Sequence, residues 1–191
     1  AAPWRLERPV QGAWRLLAAA VVAQATISVA EMGVPTIAPF LKEGLGLSAA
    51  GVGLLVASVN LGRIFGSLPA GRAVDGIGDY AVMLIGGVGV AVFFGLASLS
   101  HSPWSVGVFL MFAGVFAGSA SPAGAKLVHT AFPAARRGLP MGIRQSAVPF
   151  GTLVAAIMLP AIAYRAGWNW ALAAGGAAPL LGGLGLRIAR R

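Results

Sequence analysis

Four charged side chains stand inside long apolar runs: Glu31, Arg63, Lys126 and Arg144. An ionised group at bilayer depth is costly, so it turns toward protein or water and marks a solute or ion path by default. Three of the four are cations. That excess favours an anionic solute, organic or inorganic, held by Arg63 together with Arg144. A guanidinium fork matches carboxylate and phosphate oxygens two at a time. Pairing of Glu31 with Arg63 is the structural alternative for those two. Snorkelling to the headgroups is the alternative for Lys126 and Arg144, which lie toward one end of their runs.

Helical spacing gathers further polar residues onto the same faces. Gln24, Ser28, Glu31 and Pro35 fall at i, i+4, i+7 and i+11, one stripe down a helix. Asn60, Arg63 and Ser67 make a second stripe, and Ser119, Pro122, Lys126 and His129 a third. Gln145, Pro149 and Thr152 share a fourth, with Arg144 beside it. The solute-binding residues expected from these stripes are Gln24, Glu31, Asn60, Arg63, Lys126, Arg144 and Gln145. The prolines are expected to set kinks rather than touch solute.

The elements that must position these groups are membrane helices. Of the 191 residues, 58% are apolar and only 10% charged, with a mean hydropathy of +0.83. Water-soluble domains carry roughly 25% charged residues. Six apolar spans are expected, at 13–41, 48–70, 80–99, 104–132, 138–164 and 168–188, each about the 20 residues a crossing needs. Spans three and six hold no interior charge, so they are expected outside, against lipid, with the other four around a wet cavity. The chain lacks cysteine, which excludes disulfides and thiolate metal sites. No cofactor is expected.

The net charge of +9 reflects topology rather than nucleic-acid binding. Arg5, Arg8 and Arg15 flank span one, Arg72 the two–three connection, and Arg136 and Arg137 the four–five connection. Arg187, Arg190 and Arg191 follow span six, while the other side has only Lys42 and Arg165. The positive-inside rule then places both termini in the cytoplasm, in agreement with an even number of spans. Trp4, Trp14, Trp104, Trp168 and Trp170 fall near span ends, as an interfacial belt would. The chain opens without Met and stops after its last apolar run, so part of a longer protein is expected.

Between spans two and three, Gly71, Asp75 and Gly78 stand in a G-x-x-x-D-x-x-G spacing. So short a connection requires antiparallel neighbours. Gly71 is expected to let backbones approach, Gly78 to supply a positive φ, and Asp75 to cap the next helix. This stretch resembles the loop between helices two and three of the major facilitator superfamily, although Gly76, Asp79 and Tyr80 stand where that pattern has Arg or Lys. Phe132-Pro133 with Arg136, Arg137 and Gly138, then MGIRQSAVPFG (141–151), AGSASPAG (117–124) and Gly167-Trp168-Asn169-Trp170 are similar to further patches of the superfamily, in the same order. The resemblance implies an all-α membrane protein whose six helices form one bundle of a major-facilitator-like fold. It further implies that residues 1–191 are the N-terminal half of a twelve-helix secondary transporter, with Gly71, Asp75 and Gly78 as its gating loop. The Gly-Pro antiporter pattern of helix five is only partial, as Val148-Pro149-Phe150-Gly151.

Two other readings compete. Gly71, Asp75 and Asp79 fit the end of the CDP-alcohol phosphotransferase motif, but Leu55 and Ser58 stand where its upstream metal ligands belong, Val59 in place of its glycine and Gly62 in place of its alanine. Too few carboxylates remain to hold divalent metal. A scaffold or a half-size transporter that dimerises is the other, permitted by Gly86-Gly87 and Gly175-Gly176. The favoured reading is a non-enzymatic permease of a plasma (inner) membrane. Its partners are a small solute, the bilayer, and either a missing C-terminal half or a second copy.

Overall fold

Proline and glycine punctuate the apolar runs, and they decide where each helix begins and breaks. A computed structural model describes the backbone of residues 11–189 and the side chains of residues 11–183. Trp4, Arg5, Arg8, Arg190 and Arg191 lie outside the described residues, as does the side chain of Arg187. Span one is two helices, α1 (Ala13–Thr36) and α2 (Ala38–Gly44), broken at Ile37. Pro35 supplies no amide to the Glu31 carbonyl, and Pro39 sits in the first turn of α2, where a missing N–H costs nothing. Span two is α3 (Ala49–Ile77), opened by Ser48, whose Oγ accepts the Gly51 N–H at 3.2 Å. Span three is α4 (Asp79–Ser98). Span four is divided at Gly118 and Ser119, just before Pro122, into α5 (Pro103–Ala117) and α6 (Ala120–Ala131). Then follow α7 (Gly138–Ala166) and α8 (Trp168–Ala189).

The described residues contain no strand, and the all-α expectation stands. Five segments are long and apolar enough to cross a membrane: Ala13–Thr36, Ala49–Ile77, Asp79–Ser98, Pro103–Ala131 and Gly138–Ala166. The 22-residue α8 packs among them as the sixth.

Contacts at small residues fix the direction of each helix. Gly151 of α7 meets Ala25 and Ser28 of α1, and Gly33 meets Leu159, so α1 and α7 run parallel. Val59 meets Gly114 and Ser67 meets Gly118, so α3 and α5 are parallel too. Phe94 faces Gly176 while Leu84 faces Gly183, which makes α4 and α8 antiparallel. Gly182 on Ala23 and Gly175 near Ala30 make α8 antiparallel to α1. The chain therefore alternates up and down, and Ala13 and Ala189 end on the same side.

Around the bundle, α3 packs on α5, α5 on α4, α4 on α8, α8 on α1, and α1 on α7. Helices α3 and α4 share a turn and touch as antiparallel neighbours, as expected, although α3 lies along α5 for most of its length. One expectation fails. The close backbone approach is not at Gly71, whose Cβ position is open space. It lies at Gly62 and Gly66, against the Met111 and Val115 carbonyls, answered by Gly114 and Gly118 against Val59 and Arg63. With lipid on the outside, such van der Waals contact between backbones supplies much of the association energy. The apolar core is correspondingly rich in alanine, with Phe94, Ile27, Leu110 and Leu172 its large members.

Candidate functional site

Three buried polar side chains, Gln24, Ser28 and Glu31, lie on α1. Glu31 is 7% exposed, on the same stripe as the buried Gln24 and Ser28. From α3, Arg63 reaches across with its Nη1 3.6 Å from Glu31 Oε2, while 48% of the Arg63 side chain stays exposed. The second Glu31 oxygen has no hydrogen-bond partner. The same holds for Gln24 Oε1, Ser28 Oγ and Arg144 Nε, and among the described residues these four are the only buried side-chain N or O atoms so placed. All four belong to α1 and α7, which pack together along Ala25, Ser28 and Gly151.

Arg144 does not reach outward to a headgroup. It lies on the buried face of α7 with Pro140, Ala147 and Gly151, and is only 6% exposed. Its Nη2 donates to Oε1 of the exposed Gln145 at 3.3 Å. The structure thus joins Glu31 with Arg63, and Arg144 with Gln145. Asn60 joins neither pair. It is exposed, and its Nδ2 donates to the Val56 carbonyl of its own helix at 3.1 Å. Helices α4 and α8 contribute none of these groups.

Lys126 also stands apart from the Glu31–Arg63 pair. Its Nζ donates to Asp75 Oδ1 at 2.8 Å and to the Val74 carbonyl at 3.0 Å. This corrects the expected role of Asp75. The residue sits inside the last turns of α3 rather than in a loop, and its carboxylate caps no helix. Gly78 is the whole connection to α4, with φ 88° as expected, and α4 starts without a side-chain cap. Helix continues through Gly71 to Ile77 because nothing in the stretch forces it to stop before Gly78.

Two positioning features were missed by sequence reasoning. Asn169 Nδ2 donates to the Ser98 carbonyl at 2.8 Å, pinning the start of α8 to the end of α4. Trp168 is buried in the core rather than held in an interfacial belt, whereas Trp14, Trp104 and Trp170 are exposed. The signal for the α3–α5 seam was present in the four-residue spacing of Gly62 with Gly66 and of Gly114 with Gly118.

Residues 20–191 match the model of the Major Facilitator Superfamily. The chain belongs to that superfamily. An uncharacterized MFS-type transporter of Mycobacterium tuberculosis is 35% identical over 133 residues, covering 70% of this chain and 30% of the relative. The gallate transporter of Pseudomonas putida is 29% identical over 152 residues, 80% of this chain and 33% of that protein. The hexuronate transporter of Bacillus subtilis is 27% identical over 132 residues, covering 69% and 31%. Among solved structures, the proton:xylose symporter XylE superposes with a TM-score of 0.81 at 18% identity, covering 95% of this chain and 45% of the symporter. Tetrameric PepTSo2 gives 0.81 at 16% identity, covering 94% and 41%. This superfamily member is thus an integral membrane protein whose relatives are transporters rather than enzymes, and the phosphotransferase alternative is set aside. It spans about a third of the length of the curated relatives it matches.

Proposed function

We propose that this chain forms the N-terminal six-helix half of a secondary transporter for a small anion. The observation that carries the reading is two separate polar pairs beside α1, Glu31 with Arg63 of α3 and Arg144 with Gln145 of α7, together with the unpartnered oxygens of Gln24 and Ser28. Two guanidiniums against one carboxylate leave an excess of positive charge on these helices, suited to an oxyanion. The gallate and hexuronate named in the relatives are both carboxylates, which supports the same solute class. Asn60 and Lys126 act at the margins, Asn60 on the exposed face of α3 and Lys126 at the cytoplasmic end.

Transport proceeds by rocking this bundle against a second one about a site between them. The second bundle is a C-terminal half of the same protein. Both ends of the present chain face the cytoplasm of a plasma (inner) membrane, with Arg15, Arg72, Arg136 and Arg137 on that side. Gly71 and Asp75, near the cytoplasmic end of α3, and Gly78 just beyond it move with that helix during gating.

The test is uptake of radiolabelled gallate or D-glucuronate by vesicles carrying the complete gene product, with D-xylose as the uncharged control. Uptake of a carboxylate is expected, and Arg63→Lys should weaken it. Absence of uptake of either carboxylate ends the anion reading. Residues 1–191 alone should not transport; robust uptake by that segment, with a homodimer detected by crosslinking, would favour a half-size dimer instead.

A further inference from the structure

The arginines of α3 and α7 are not equivalent. Arg63 is matched to a carboxylate of the protein, Glu31, at 3.6 Å. Arg144 has no carboxylate within ion-pair distance among the described residues, although it is the more buried of the two. A buried guanidinium without a counter-ion is strongly unfavourable, and its five N–H donors demand acceptors. Here one acceptor is recorded, the neutral amide oxygen of Gln145, at a long 3.3 Å, and Nε has none.

The surroundings are shaped to the guanidinium. It lies along α6 at Gly124, where an added Cβ would stand 3.2 Å from Nη1 and 3.3 Å from Cδ. Those separations are tighter than an ordinary contact, so any side chain at position 124 would push the group aside. Gln145 follows Arg144 in the chain yet is exposed, so its amide oxygen covers the one engaged nitrogen from the accessible side.

We propose that Arg144 is the primary anchor for the solute's oxyanion group, and that the Gln145 amide oxygen holds the place which a solute oxygen takes. This deepens the anion-transport reading and rests on it. A carboxylate arriving from the Gln145 side replaces a long bond to a neutral amide with a shorter one between opposite charges. Gly124 is a positioning residue, leaving room for the guanidinium to lie flat against α6.

The experiment measures equilibrium binding of gallate and D-glucuronate to the purified complete gene product, together with its thermal melting. Arg144→Lys should weaken binding at least tenfold, a larger loss than Arg63→Lys causes, while Arg165→Gln on the other side of the membrane should not change it. Gln145→Glu guards against loss of folding. It installs a tethered carboxylate beside the guanidinium, so it should raise the melting temperature and lower probe affinity at least tenfold. Gly124→Ala should weaken binding several-fold in the wild type and add nothing to Arg144→Lys. If the wild type binds and Arg63→Lys weakens it, but Arg144→Lys or Gln145→Glu leaves affinity unchanged, this inference fails while the anion reading survives. If the wild type binds neither probe, both fall.

Discussion

Lys126 of α6 grips the C-terminal end of α3 at two points, with Nζ 2.8 Å from Asp75 Oδ1 and 3.0 Å from the Val74 carbonyl. The second bond satisfies one of the last carbonyls of α3, where a cation also meets the negative end of the helix dipole. The Asp75 side chain is 80% exposed, so the ion pair itself is worth about 1 kcal/mol or less. Asp75→Asn should therefore cost little. Lys126→Ala removes both bonds and should cost more. Thermal melts of the two variants and their double mutant measure the difference; equal losses would mean that the carbonyl bond contributes nothing.

The α3–α5 seam should be intolerant of any added carbon. Gly66→Ala would drive a Cβ into the Val115 carbonyl, where backbone has to move. A loss of about 3 kcal/mol or more is expected, above the usual overpacking range of about 1–3 kcal/mol for side chains that can yield. Gly71→Ala, five residues later in the same helix, meets open space. It should stabilise by about 0.5–1 kcal/mol, the ordinary helix advantage of Ala over Gly. Opposite signs in denaturation measurements are the expected result.

Gly78 has φ 88° and ψ 160°, a region open essentially to glycine alone. Gly78→Ala should cost about 1–3 kcal/mol although nothing lies near its Cβ position. A melting temperature equal to that of the parent would show that the turn between α3 and α4 accommodates another conformation.

Removing one member of the Glu31–Arg63 pair should hurt more than removing both charges. Arg63→Gln strands a carboxylate that is 7% exposed, a loss of about 3–5 kcal/mol for a fully buried pair and less here, because Arg63 is half exposed. The Glu31→Gln, Arg63→Gln double variant leaves no uncompensated charge and should melt above Arg63→Gln alone. A double variant less stable than the single one would show that the pair does not govern the charge state of this site.

Some of this protein was legible in its sequence, because lipid imposes simple rules. A crossing helix must be long, apolar and closed on its own hydrogen bonds, so six spans and their approximate limits follow from composition. Alternating crossings and the polar stripe of Gln24, Ser28 and Glu31 follow from helical period. What tertiary structure alone decided is which helices touch and which charges meet. Lys126 and Asp75 are 51 residues apart, Asn169 reaches Ser98 across 71 residues, and the pairing of Glu31 with Arg63 is only one of two alternatives open from the sequence. Periodicity orders side chains around one helix axis but says nothing of the rotation of one helix against another. That rotation is set by where glycine lets backbones close, at Gly62 and Gly66 rather than at Gly71, and it leaves Arg144 buried with no carboxylate beside it among the described residues.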